Sequence, residues 1–373
     1  MKLTTEIPYW ITLAHLPKWG AEKINRLVVK IIHENQLSLE TFFNEESIWN
    51  KSFELTAADI ADLQKAKLEL PNNAFLAEDL LAQGFELVSI NSPAYSKTLK
   101  NNLKLKAPTV LYIKGNKQIM QEESIAIVGS RDADETSLQF TDHIARIASQ
   151  QYKVVVSGFA KGVDKQALDS ALKYKGQSII VLPQGIMTFG SGIKKYYQQI
   201  TTGDLLVVSI FHPQATWGAG LAMARNPIIY ALASEIYAAQ SAESGGTWSG
   251  VLDGLKKGRT IFVRQPLPGE KNANALLIEK GATPVNQQGN PVASAQTGDS
   301  NAQPVDKTKE NLVRITTLLS EQPLTPEQIL EKVPLNITKA ALAKLLKTLP
   351  QIQKITKSKK VHYAISQNTP TLF

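Results

Sequence analysis

The chain of 373 residues contains no cysteine, which excludes structural disulfides, thiolate metal sites and a cysteine nucleophile. It contains no run of 18 or more apolar residues, so the sequence predicts no membrane span. Neither a G-x-G-x-x-G fingerprint nor a Walker A loop occurs. The five histidines (15, 33, 143, 212, 362) are scattered, none four residues from another, so no metal site, resident cofactor or hydrolytic triad is expected. With no apolar signal at Met1–Ile7, the expected compartment is the cytoplasm.

What is present is a series of short β-rich runs: Ile125–Gly129, Val154–Gly158, Ser178–Pro183, Leu205–Ser209, Glu235–Ala239 and Thr260–Val263. They recur at helix-plus-loop spacing and lack in/out alternation, as strands buried on both faces of a parallel sheet do. Ligands of such sheets bind beyond the carboxyl ends of the strands, which places the expected site among the connecting loops.

Four domains follow from the pattern. Residues 1–70 read as a helical module, with Trp10, Leu13, Ile24, Leu27, Val28 and Ile31 at three- and four-residue steps. Residues 71–286 read as the α/β body, led in by strands at Phe85–Ile90 and Pro108–Ile113 and carrying Thr136 as the N-cap of its first helix. The Gln/Asn/Ser/Gly-rich stretch 287–306 reads as a flexible linker. Residues 307–373 hold eleven Lys or Arg against four Glu, nearly all of the net charge of +8. There, helices at Glu310–Ser320, Thr325–Lys332 and Thr338–Leu349 precede a hairpin with Lys357, Lys359 and Lys360 at its turn, the layout of a winged helix.

The loops carry the chemistry. Gly129-Ser130-Arg131, between a strand and a helix, offers backbone N–H groups and a planar cation to an anion. Ser157-Gly158-Phe159-Ala160-Lys161-Gly162-Val163-Asp164 adds two glycines for close approach, a cation, and Asp164 as a cap or loop brace. Lys194-Lys195-Tyr196-Tyr197 sets cations beside aromatic faces, the combination that holds single strands by charge and stacking. Arg225-Asn226 stands just before an apolar helix, and Ser244-Gly245-Gly246-Thr247 opens another. Each loop also reads as an ordinary turn or solvated face; their convergence on one sheet edge is what points to a site.

In order and content these segments resemble the DNA-processing protein A (DprA/Smf) family. The resemblance rests on Ala126–Arg131, Ser157–Asp164, Ala224–Ile229, Ala275–Ala282 and the lead-in from Pro93 to Gly115, with Leu16–Gly20 where that family carries a helix-hairpin-helix or SAM-like module. It implies an extended Rossmann-like α/β core and a cytoplasmic homodimer without catalytic activity that binds single-stranded DNA and helps load the recombinase RecA. By the same resemblance Arg131, Lys161, Lys194 or Lys195, and Arg225 are phosphate contacts, with Ser130, Gly158 and Gly162 shaping the cradle. The chain departs from the family pattern at Ser209-Ile210, at Arg225-Asn226-Pro227 and at Ser244–Ser249. The alternative reading is a nucleotide sensor or a phosphoribohydrolase-like enzyme of the same superfamily, suggested by Ser244-Gly245-Gly246-Thr247. No carboxylate follows that segment within one helix turn.

Overall fold

The computed structural model describes residues 6–292, 315, 318–319, 322–333, 342, 346, 352–357 and 360–365. The chain divides into two compact units, Met1–Ser294 and Ala295–Phe373.

The first unit is built on a nine-stranded sheet. Its strands are β1 (Glu86–Ser89), β2 (Val110–Lys114), β3 (Ser124–Val128), β4 (Val154–Ser157), β5 (Ser178–Val181), β6 (Leu205–Ser209), β7 (Glu235–Ala238), β8 (Thr260–Arg264) and β9 (Thr283–Val285). The spatial order is β1-β2-β6-β5-β4-β3-β7-β8-β9. From β6 to β9 every pairing is parallel, while β1–β2 and β2–β6 are antiparallel. All six expected strands are present in this sheet, and it is the α/β class that the pattern implied.

The burial of β3 shows why its sequence does not alternate. Ile125 and Ile127 enter one apolar cluster with Phe140, Ile144 and Val163, whereas Ala126 and Val128 enter another with Ile228 and Ile229. Helices Glu135–Gln150 and Val163–Lys173 supply the first cluster; helix Ala219–Leu232 contributes to the second. Both faces are covered, so both parities are apolar.

Two sequence readings are corrected here. The N-cap of the Glu135–Gln150 helix is Asp134, whose Oδ1 accepts from Ser137 N at 2.7 Å, and Thr136 lies inside the first turn. Arg225 and Asn226 do not precede a helix but lie inside one, Ala219–Leu232, with Pro227 in its interior. Proline normally marks a helix boundary because it lacks an N–H. Here the alanines at 219, 222 and 224 carry helix up to and past it.

The helices before β1 pack on the same body. Asn25 Nδ2 donates to Leu105 O and Ala107 O at 2.8 and 2.7 Å, and Thr109 Oγ1 donates to Asn25 Oδ1 at 2.9 Å. His15 Nε2 meets the Tyr112 hydroxyl at 2.9 Å, with the His212 ring 5.3 Å away.

At the far edge β9 is three residues long and contains Pro284, and the chain turns back so that Val285 bridges Pro291. In the second unit, helix Pro326–Lys332 is capped by Thr325, and β10 (Ile352–Lys357) pairs antiparallel with β11 (Lys360–Ile365). Leu324 bridges Tyr363, and Ile315, Leu319, Ile329, Leu342 and Leu346 share its apolar cluster.

Candidate functional site

Strands β4, β5 and β6 follow β3 on one side of the sheet and β7, β8 and β9 on the other, so the direction of travel reverses between β3 and β7. A reversal of this kind leaves a crevice beyond the strand ends that no crossover covers. A cleft of about 360 Å³ lies there.

Its floor is assembled loop against loop. Ser130 N donates to Gln240 O at 2.9 Å, tying the turn after β3 to the turn after β7. Val163 N donates to Ser130 O at 3.2 Å, which ties it to the turn after β4. Gly162, at φ +80°, backs directly onto Ser130 O, and a Cβ at Gly129 would stand 2.5 Å from Val163 Cγ2. The Ser130 hydroxyl accepts from Asp132 N at 3.1 Å, so the turn closes on itself and Arg131 is left exposed at the rim.

Beneath the rim lies Arg225, only 3% exposed. Its Nη1 donates to Val181 O at 2.6 Å, and its Nε is buried with no protein partner. Asp164 is buried beside it and accepts from Ala160 N at 3.4 Å. Burial pushes the Asp164 carboxyl above its ordinary range, opposed by the positive charges of Arg225 and Arg131. Burial in turn lowers Arg225, with Asp164 opposing. Asp164 is thus a brace inside the first turn of its helix, whose N-cap position belongs to Gly162.

The opposite wall is the start of helix Gly245–Lys256. Gly245, at φ +90°, has open space where a side chain would be, and a Cβ at Gly246 would crowd Asn226 Nδ2 at 2.6 Å. Free N–H groups at this helix start face an anion favourably. Ala222, Met223 and Ile229 give the cleft an apolar side, and the Tyr230 hydroxyl reaches Thr247 O at 3.4 Å.

The cleft brings together Gly129, Ser130 and Arg131 from the first loop, Arg225 and Asn226 from the crossover helix, and Gly245, Gly246 and Thr247 from the last. Ser157, Gly158, Lys161 and Gly162 support it without lining it: Ser157 Oγ donates to Asp164 O at 3.2 Å. Lys161 is exposed and pairs with Asp132 at 3.2 Å. Lys194 and Lys195 are exposed on helix Gly190–Lys195, away from the lining, with Lys195 Nζ 5.3 Å from the Tyr196 ring. Lys357 and Lys360 belong to the second unit, and Lys359 lies outside the described residues. Sequence reasoning missed Ala219, Ala222, Met223 and Tyr230, whose only signal was their place on a helix read as starting later. Among the described residues no group of three His, Asp or Glu is placed to hold a metal ion.

A family model described as DNA recombination-mediator protein A matches residues 86–296, which include every residue lining the cleft. DNA processing protein DprA of Streptococcus pneumoniae is 29% identical over 178 residues, 47% of this chain and 63% of that protein. The DprA of Bacillus subtilis is 25% identical over 206 residues, 54% of this chain and 68% of that protein. The alignment to the pneumococcal protein therefore spans less than two thirds of its length. The X-ray structure of DNA processing protein A (DprA) from Streptococcus pneumoniae is similar at a TM-score of 0.52 and 25% identity, covering 72% of this chain and 95% of that one.

Proposed function

The chain belongs to the DNA recombination-mediator protein A family, and from that premise we propose that it binds single-stranded DNA in the cleft between the ends of β3 and β7. The observation that carries this reading is the charge layout: Arg131 exposed at the rim, Arg225 below it, and a helix start opposite, against a single carboxylate, Asp164, in the lining. A phosphate at the rim gains a charge-assisted, two-pronged contact from Arg131 and the N–H groups of the Gly245–Thr247 turn. The apolar side formed by Ala222, Met223 and Ile229 suits the flat face of a base.

The protein acts as a binder rather than a catalyst in this reading. Glycosidic cleavage uses a pair of carboxyl groups, whereas Asp164 is alone in the lining, buried, and engaged by the backbone of its own loop. Delivery of the bound strand to the recombinase RecA, association as a homodimer and a cytoplasmic location complete the proposal. The second unit is read as a winged helix that adds a basic contact.

Fluorescence anisotropy with labelled oligo-dT, beside competition by thymidine monophosphate, tests it. Salt-dependent binding of oligo-dT that the mononucleotide does not compete at matched concentration is the expected result. Preferential binding of the mononucleotide, or its hydrolysis to free base, overturns it in favour of the nucleotide sensor or phosphoribohydrolase reading. RecA filament assembly on single strands, with and without the protein, tests the delivery step separately.

A further inference from the structure

Between Leu87 and Gln121 the chain contains six lysines and no Asp, Glu or Arg. Lys97 and Lys100 lie on helix Lys97–Leu103, and Lys104 and Lys106 on the turn that follows. All four are exposed, and none forms an ion pair among the described residues. Lys106 acts weakly on the Glu22 carboxylate, which is itself paired with Arg26 at 2.8 Å. This is a concentration of unneutralised charge that the cleft does not use.

Its position gives it meaning. Asn102 Nδ2 donates to Ala231 O at 2.8 Å, which docks the lysine-bearing helix on the Ala219–Leu232 helix. Lys106 then rims a groove of about 340 Å³ together with Lys257, Ala224, Pro227 and Ile228. The same Ala219–Leu232 helix gives Ala222, Met223, Arg225 and Asn226 to the cleft. One helix therefore has the cleft on one side and the lysine-rimmed groove on the other, separated by about the 10–12 Å width of a helix. The ridge between them is Met223, Ala224 and Pro227, all exposed and none charged.

We propose that a single strand held in the cleft continues over this ridge into the groove, where Lys106 takes a phosphate, and on along the adjoining helix and turn, where the exposed Lys97 and Lys104 take the next ones. The proposal rests on the cleft reading above and extends it by a second, separate stretch of contact. A strand too short to cross the ridge gains nothing from these lysines; a longer one gains one released counterion per phosphate neutralised. Lys100 is set apart because its Nζ donates to Ile90 O at 3.2 Å and so also holds its own helix in place.

The test is the full chain carrying Lys97→Gln, Lys104→Gln and Lys106→Gln together, set beside Arg131→Ala. Both are titrated with a short oligo-dT that fills only the cleft and with a longer one, across a range of salt. The triple variant is expected to bind the short oligonucleotide as the parent does. For the long one, its plot of log affinity against log salt flattens by roughly 0.7 per lost contact, up to about 2. Restoring charge with arginine at the three positions restores the slope. Unchanged affinity and slope for the long oligonucleotide overturn this path while leaving the cleft reading intact if Arg131→Ala weakens both lengths. Full binding by Arg131→Ala, with loss in the triple variant alone, overturns the cleft reading and leaves the lysine surface as the DNA contact. If the parent binds neither oligonucleotide, both fall.

Discussion

Gly158 and Arg225 occupy adjoining space so completely that a Cβ on the glycine would overlap Nη1 of the arginine and stand 2.5 Å from Oδ2 of Asp164. The turn after β4 is glycine here because a buried cation fills the volume that a side chain would take. Gly158→Ala is expected to destabilise the fold by about 1–3 kcal/mol, the usual cost of overpacking. Urea denaturation measures it, and a midpoint equal to the parent's contradicts the account.

Arg131 is the opposite kind of arginine, exposed at the rim and free of ion pairs among the described residues. Arg131→Ala is expected to leave thermal stability unchanged and to weaken oligo-dT binding by about 1.5–3 kcal/mol, the worth of a hydrogen bond to a charged group. Anisotropy at fixed salt decides it. Parental affinity reduces the Gly129–Arg131 segment to a plain turn.

His15 makes stability depend on pH. Burial, with a smaller contribution from His212, lowers its folded pKa to about 4 from an ordinary 6.5. The unfolded chain therefore takes up a proton between pH 6.5 and 4 that the folded chain refuses, so stability falls as pH falls through that window. A shift of this size amounts to roughly 3 kcal/mol, lost by pH 4 and fully present above pH 6.5. His15→Gln is expected to flatten the pH dependence, retaining only the smaller part that the lowered pKa of His212 supplies in the same direction. Unfolding curves at several pH values check this, and an equally steep profile in the variant refutes it.

Removal of Ala295–Phe373 is expected to leave binding of a short oligo-dT intact and to reduce affinity for long single strands. If the basic hairpin, where Lys354 is exposed, serves as a second contact as proposed, its loss flattens the salt slope by up to roughly 0.7 per phosphate contact. An unchanged slope assigns the second unit to protein docking instead.

Much of this architecture is readable from sequence for one physical reason. A strand covered on both faces is apolar at both parities through its middle, and β3 to β8 announce themselves by such runs, polar residues standing at their ends. The turns that follow them announce the cleft by glycine and arginine. What escapes is whatever depends on a partner distant in sequence. β9, Thr283-Pro284-Val285, is too short and too proline-marked to show a period. Nothing local to Arg225 reveals that its helix begins at Ala219, or that its Nη1 donates to Val181 O beside Asp164 and so buries it beneath the rim. Lys194 and Lys195 read as part of the site by their aromatic neighbours, yet the helix they occupy lies away from the cleft lining.

The β9 edge bears on how copies of this chain can meet. A free sheet edge invites another strand to pair along it, and here that invitation is withdrawn twice. Pro284 removes a donor from the strand itself, and the returning segment at Pro291 occupies its outer side while bringing a second residue without an N–H. β9 itself therefore offers no free outer side along which a neighbour's backbone can pair. Association through this strand has to use side chains, a contact whose strength single substitutions can tune.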